Sequence, residues 1–420
     1  MALGWLAPHA EPGVRSVFRP PPGRRTVARR KSASYCAIVC TMDPNPFHFG
    51  SPVTGDRFGG RILELSTVLS CMANHINLVV LSPRRYGKTS LLEQAESVLR
   101  ERQPLPAILH VNVLRCADLS DLATKLVGQL YQVPGGTWRR AQTAVSEFVR
   151  RIRVHPTVTA DLVTGLPVFA FAPQLTESDG TGIVEDVYGV LADLAKKRPA
   201  VLVLDEFQDV MEYAPRLPLL LKGLSDSYPD VSLVVAGSRH HLMEKLILTR
   251  ESPLFGMAQK LALGPMPDEE MVPYLQERAS RHGKKRMSAI VARKIIEIAG
   301  PTPNDIQHLA REAYDVAVDV IDMASVDTAV GRIIASQAQL FDVQVGSLTS
   351  GQQRVLRALA RGSSTSLYSS AFAKSVGLAG QQSVRRAIER LEMNELITRT
   401  RSDWHVVDPF LARWLCAEGG

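Results

Sequence analysis

"LVVLSPRRYGKTSLLEQA", residues 78–95, opens on four apolar residues, crosses a short polar turn and closes on a helical pattern. A strand, a tight loop and a helix in that order cradle phosphates when the loop ends as this one does, in Gly87, Lys88 and Thr89. A polyphosphate needs inward-pointing backbone N–H groups, the positive end of a helix and a point-charge lysine. Gly87 lets the backbone come close, Lys88 reaches the outer oxygens, and the Thr89 hydroxyl suits a magnesium ion. One position departs from GxxxxGK[ST]: Ser82 stands where the first glycine belongs. A serine fits that turn if its φ stays negative. The candidate nucleotide-binding residues of the loop are Ser82, Arg85, Tyr86, Gly87, Lys88, Thr89 and Ser90.

A second stretch, "VLVLDEFQD" (residues 201–209), places Asp205 and Glu206 at the tip of an apolar strand. Adjacent carboxylates there are costly unless a cation lies near. In a nucleotide fold Asp205 faces the metal, and Glu206 orients or deprotonates the attacking water. A third strand, "VSLVVAGS" (231–238), ends in Ser238, suited to the terminal phosphate or that water; Arg239 beside it is a weaker candidate.

Around these strands the pattern alternates. Apolar runs at 77–81, 107–113, 200–207 and 231–238 are separated by helical spacing at 89–100, 119–131 and 183–197, with "LTESDGTG" (175–182) reading as a loop. Continuous β-branched runs ending in polar residues are typical of parallel strands covered on both faces. The expectation is an α/β sheet with its ligand at the strand C-terminal ends. An alternating piece reads as an inserted hairpin near 155–172. After Pro265 the strand signals stop and 3–4 apolar spacing predicts a helical domain, 266–345. Helices at 352–361, 368–376 and 381–394, then two short strands about Ser402-Asp403, predict a winged helix over 346–420. The nucleotide core would span 42–265.

Hydrophobic content of 45% rules out a wholly disordered chain. The net charge of +7 suggests nucleic acid until it is located. Residues 1–41 hold seven basic side chains and one acid, leaving a single net positive charge for the rest. This Arg- and Pro-rich stretch reads as a disordered basic arm, a transit peptide or translated upstream sequence with Met42 as the start; the last is preferred. The five cysteines are scattered, and Cys36 and Cys40 lack a second pair for zinc, so free thiols in a reducing compartment are expected. No apolar run reaches the ~20 residues that span a bilayer. A soluble, cytoplasmic protein follows as the expectation.

Taken with "NPFHFGSPVTGDRFGGRILEL", "LALGPM", the "GPTP" turn and the terminal "DPFLARWL", these motifs resemble AAA+-type P-loop ATPases of the STAND, archaeal-ATPase-like group, over Asn45 to Leu415. The resemblance implies ATP and Mg²⁺ as ligands, a helical lid and a winged helix packed on the nucleotide domain. It places Phe58, Arg61 and Glu64 near the adenine, and it favours an intact site despite Ser82. Two departures matter. Met257 and Pro303 stand where relatives carry arginines, although Arg250 lies just upstream of the first. Arginine fingers contribute ~10³–10⁵ in rate, so slow or partner-stimulated hydrolysis is expected, which suits a nucleotide-controlled switch with a protein partner or oligomer.

Two other readings stay open: an initiator-like DNA-binding ATPase, and a nucleotide-binding scaffold with negligible turnover. For DNA, Arg385, Arg386 and Arg390 fall on the recognition helix and Arg399 and Arg401 on the wing. Against it, Glu389, Glu392 and Glu395 share that helix and give a merely solvated surface. Trp404 and Trp414 read as core anchors. His240-His241 lacks a third metal ligand, and the basic amphipathic stretch 138–154 reads as a solvated helix face.

Overall fold

The computed structural model describes residues 45–133, 157–160, 167–170, 177–238, 243, 246, 249–250, 252–362, 366–400 and 403–417. Its centre is a parallel five-stranded sheet in the order β2-β5-β6-β1-β7, with β1 Leu78–Leu81, β2 Ala107–Asn112, β5 Ala200–Asp205, β6 Val231–Gly237 and β7 Gln259–Ala262. The middle strands β5 and β6 are buried along their whole length, as expected for apolar side chains pointing into layers on both faces. One face carries α1 (Ile62–Ala73) and α2 (Lys88–Arg100), packed on Leu78, Val80, Val201, Val203 and Val234. The other carries α3 (Leu119–Tyr131) and α4 (Glu177–Ala195), which pack with α6 (Leu217–Ser227) on Leu109, Leu202 and Leu233. The short α5 (Val210–Tyr213) follows β5.

The predicted hairpin exists: β3 (Thr157–Ala160) pairs antiparallel with β4 (Pro167–Ala170). The helix read as starting at 183 begins at Glu177, which corrects the loop expected over 175–182. Gly180 and Gly182 suggested a turn. The packing overrides that signal, because a Cβ on Gly180 would lie 3.1 Å from backbone atoms of Leu119 and Ser120. The glycine is there so that α4 can approach the start of α3.

Beyond the sheet come α7 (Asp268–Glu277), α8 (Ala289–Ala299), α9 (Pro303–Val316) and α10 (Met323–Gly346). The strand signals do not stop at Pro265, however. Two-residue strands β8 (Arg286–Met287) and β9 (Val320–Ile321) pair in parallel, and Ala317 leaves the helical region at ψ 149, ending α9 ahead of β9. Strand β7 also escaped the pattern reading, because its residues are largely exposed at the sheet edge. Helices α11 (Ser350–Ala360), α12 (Ser370–Ser375) and α13 (Gln381–Met393), the antiparallel pair β10 (Ile397–Thr400) and β11 (Asp403–Val406), and α14 (Pro409–Ala417) complete the chain. One apolar core runs through α7–α14 and contains Leu275, Ile295, Leu309, Phe341 and Leu391. Trp404 and Trp414 are buried in it as expected, the latter with its ring 5.8 Å from Phe341. Cys71, Cys116 and Cys416 are free thiols. Among the described residues no helix is long and apolar enough to cross a membrane.

Candidate functional site

The loop between β1 and α2 sits at the C-terminal end of the sheet. Gly87 takes φ 87° and caps α2, a left-handed turn that glycine adopts without a Cβ penalty. Arg85 takes φ 66° in the same loop. Ser82 is absent from the positive-φ residues, its amide donates to Gly237 O at 3.2 Å, and its hydroxyl donates to Pro83 O at 2.9 Å. Among the described residues the amides of Arg85, Tyr86, Gly87 and Lys88 find no intramolecular acceptor. Ser90 lies one turn into α2, and its hydroxyl accepts from Val53 N at 3.1 Å.

Lys88, 5% exposed, reaches the tip of β5, where its ammonium lies 2.5 Å from Asp205 Oδ1 and 2.8 Å from Glu206 Oε1. Thr89 Oγ1 donates to Asp205 Oδ2 at 2.8 Å. Ser238 Oγ at the end of β6 donates to Glu206 Oε2 at 2.8 Å, so the three strand ends converge on one carboxylate pair. Gln208 was not singled out in the sequence, where nothing distinguishes it from a loop glutamine. Its amide donates to Glu206 Oε2 at 2.7 Å and accepts from Ser238 N at 3.2 Å. Glu206 is held at φ 56°, an unusual conformation for a non-glycine residue. Burial pushes its carboxyl up, but the Lys88 charge and hydrogen bonds from Lys88, Gln208 and Ser238 outweigh that and hold it below the usual range. Glu206 is thus an ionised, oriented base candidate.

The loop's free amides, its lysine and the Thr89–Asp205 pair form a donor set suited to a magnesium polyphosphate. Among the described residues no group of three or more His, Cys, Asp or Glu is placed for a metal; Thr89 and Asp205 would hold a magnesium ion only together with phosphate oxygens or water.

Arg61 is 3% exposed and bridges the region. Its guanidinium donates to Glu64 Oε1 at 2.9 Å, Tyr86 O at 3.2 Å and Gly264 O at 2.6 Å, and its amide donates to Glu270 Oε2 at 2.6 Å. Phe58 packs, half-buried, against the α1–α2 layer. Met257 packs against the core of the other face and Pro303 opens α9. The side of the site that faces α9 receives a cation from the loop itself: Arg85 Nη1 lies 3.5 Å from Asp305 Oδ1 and 3.8 Å from Asp408 Oδ2. Burial pushes the Asp305 carboxyl up to about 6, with Asp408 adding to the rise and Asn304 and Arg85 opposing it. Arg84 pairs with Glu395 at 2.8 Å, just beyond α13. None of these pairs was legible in the sequence.

On the winged helix, Arg385, Arg386, Arg390 and Arg399 are exposed, and Arg385 lies 5.6 Å from the Tyr368 ring centroid. Arg250 is also exposed. Arg239, His240, His241, Arg401 and the stretch 138–154 lie outside the described residues, as do residues 1–44.

Residues 339–417 match the family model described as a probable winged helix domain. The fold is similar to that of a Walker-type ATPase of Pyrococcus abyssi, at TM-score 0.59 and 17% identity, covering 88% of this chain and 99% of that one. Solved structures with less overlap include the ORC1 protein of Aeropyrum pernix in complex with DNA (TM-score 0.46, 15% identity, 87% of this chain and 94% of that one) and a RuvB of Thermotoga maritima (0.43, 16%, 85% and 95%). No curated protein matches the sequence. The chain has the α/β P-loop NTPase fold, followed by helices and a winged helix.

Proposed function

We propose that the protein is an ATP-binding, Mg²⁺-dependent ATPase of the AAA+ type, close to the STAND, archaeal-ATPase-like group, working in the cytoplasm as a nucleotide-controlled switch. Its parts would be a core over 42–265, a lid over 266–345 and a winged helix over 346–420. The observation that carries this is the convergence of Lys88 on Asp205 and Glu206 from a loop two strands away, at 2.5 and 2.8 Å. Such a triad answers the cost of one buried and one half-buried carboxylate and supplies what a magnesium triphosphate would exchange for. The adenine choice follows from the resemblance, which also puts Phe58 and Arg61 beside the base.

Ser82, Arg85, Tyr86, Gly87, Lys88, Thr89 and Ser90 would hold the triphosphate, with Thr89 and Asp205 on the metal. A magnesium ion held by Thr89 and Asp205 would supply positive charge beside the phosphates, and Lys88, paired with Asp205 in the protein alone, would then be available to phosphate oxygens. Glu206 takes the proton of the attacking water while the γ-phosphorus gains that oxygen and loses the bridging one to ADP. Ser238 and Gln208 keep the carboxylate aimed. With Met257 and Pro303 in the places of arginines, turnover is slow until a partner or second copy adds a cation.

Phosphate release from ATP by the full chain and by Glu206→Gln tests this. Slow turnover in the wild type and ATP binding without turnover in the variant are expected; equal turnover in both removes Glu206 from the mechanism.

A second reading, DNA binding through the winged helix, is favoured by the exposed Arg385, Arg386, Arg390 and Arg399. A salt titration of duplex binding decides it: replacing Arg385 and Arg386 by alanine should lower the salt slope by about two if both meet phosphates, and an unchanged slope removes the helix from any DNA contact.

A further inference from the structure

The seam between the sheet and the rest of the molecule is ionic where it passes the phosphate loop. The apolar cores of the sheet are built from strands β1, β2, β5 and β6 and their own helices, whereas the lid and winged-helix elements share a separate continuous core. Across the loop the two bodies meet through Arg84–Glu395, Arg85–Asp305 and Arg85–Asp408. The three acids come from three elements. Glu395 follows α13, Asp305 lies in the first turn of α9, and Asp408 caps α14, its Oδ1 accepting from Phe410 N at 2.9 Å and Leu411 N at 3.1 Å. That cap fixes the Asp408 carboxylate in place. Asp305 is 5% exposed while both arginines are 55% exposed, so that acid is held and the cations are free to turn. Arg85 is set in a left-handed conformation in the loop whose free amides invite an anion.

We propose that Arg84 and Arg85 are a latch: in the nucleotide-free protein they hold the lid and winged helix by Glu395, Asp305 and Asp408, and a bound polyphosphate competes with those acids for them. The proposal rests on the nucleotide reading above and names how the site controls the winged helix. The acids and a polyphosphate draw on the same two guanidinium groups, so nucleotide binding loosens the seam. By reciprocity, the latched seam weakens nucleotide binding by the same factor. Glu395 follows the helix that carries Arg385 and Arg386, so releasing it frees the basic face of the winged helix to move.

The test uses the full chain, a fluorescent ATP analogue with Mg²⁺, and amide hydrogen exchange over residues 381–397. Glu395→Gln, which leaves every buried group in place, should bind the analogue about threefold more tightly, and adding Asp305→Asn and Asp408→Asn should bring the gain to about tenfold. Without nucleotide, exchange in these variants should reach the level that the wild type shows only with nucleotide. Arg84→Gln with Arg85→Gln should speed exchange equally while binding the analogue no more tightly, since the phosphates lose the same partners. Unchanged affinity and exchange in both acid variants would overturn the latch. Absence of analogue binding by the wild type would instead overturn the nucleotide reading, and the exchange of the nucleotide-free variants would still report on the ion pairs.

Discussion

The ammonium of Lys88 lies 2.5 Å from Oδ1 of Asp205, although the two residues are 117 positions apart and β1, which leads into the Lys88 loop, is separated in the sheet from β5 by β6. The contact forms because both strands run parallel and end at the same edge, and the lysine side chain is long enough to cross the end of β6. It gives Lys88 two roles, since the group positioned for phosphate also balances two carboxylates in the protein alone.

Lys88→Ala should therefore destabilise the nucleotide-free protein as well as abolish ATP binding. Removing one partner of a buried ion pair costs roughly 3–5 kcal/mol, because the other charge stays uncompensated. Adding Asp205→Asn to the same chain should recover much of that loss without restoring binding. Urea unfolding of the three proteins measures this, and identical midpoints for the wild type and Lys88→Ala would contradict it.

Ser238→Ala removes a donor from the Glu206 carboxylate and leaves Lys88 and Gln208 in place. The folded-state pKa of Glu206 is depressed below its ordinary value of 4.5, so the associated stability exists above that value and is lost as pH falls through the folded pKa. With one donor gone the pKa rises towards 4.5. The acid limb of the turnover profile should move to higher pH, and turnover near neutrality should fall about tenfold as the base loses its aim. A profile that keeps its acid limb would show that the serine acts elsewhere.

His110 offers a pH test away from the phosphates. Its Nδ1 lies 2.6 Å from Glu96 Oε1. Burial pulls the imidazole down, yet the close Glu96 carboxylate and the charges of Asp205 and Glu93 raise it above its ordinary 6.5. A raised pKa contributes stability that is complete below 6.5 and lost as pH rises through the folded value. The wild type should lose stability as pH rises above 6.5, and His110→Gln should not show that loss. Parallel stability–pH curves for the two proteins would count against the pairing.

Arg61→Lys should behave like a deletion. One planar guanidinium serves Glu64, Tyr86 O and Gly264 O at once, and an ammonium cannot reach all three from one position. A loss of about 2–4 kcal/mol is expected, with weaker nucleotide binding because Tyr86 belongs to the phosphate loop. Thermal melts and ATP titration of Arg61→Lys and Arg61→Ala check this; full rescue by lysine would mean that charge alone suffices.

How much of this the chain declares by itself depends on range. Gly87, Lys88 and Thr89 lie beside one another, and apolar runs mark β1, β2, β5 and β6, so local chemistry and periodicity were enough for the parallel sheet and for the turn between β1 and α2. Asp205 and Glu206 were legible because two acids ending an apolar strand are costly without a cation. Trp404 and Trp414 were legible as core because they recur with the apolar spacing around them. The helix over 177–182 was not, since Gly180 answers a packing constraint from α3 that the local pattern does not contain. Strand β7 was hidden because an edge strand needs no apolar signature. Gln208, and the pairing of Arg84 and Arg85 with Glu395, Asp305 and Asp408, were decided by tertiary structure alone. Each is an ordinary polar residue whose role exists only once folding brings its partners to it, for the two arginines from segments more than two hundred positions away. Ion pairs carry no periodicity, and a charge in sequence does not name the opposite charge that folding will bring to it.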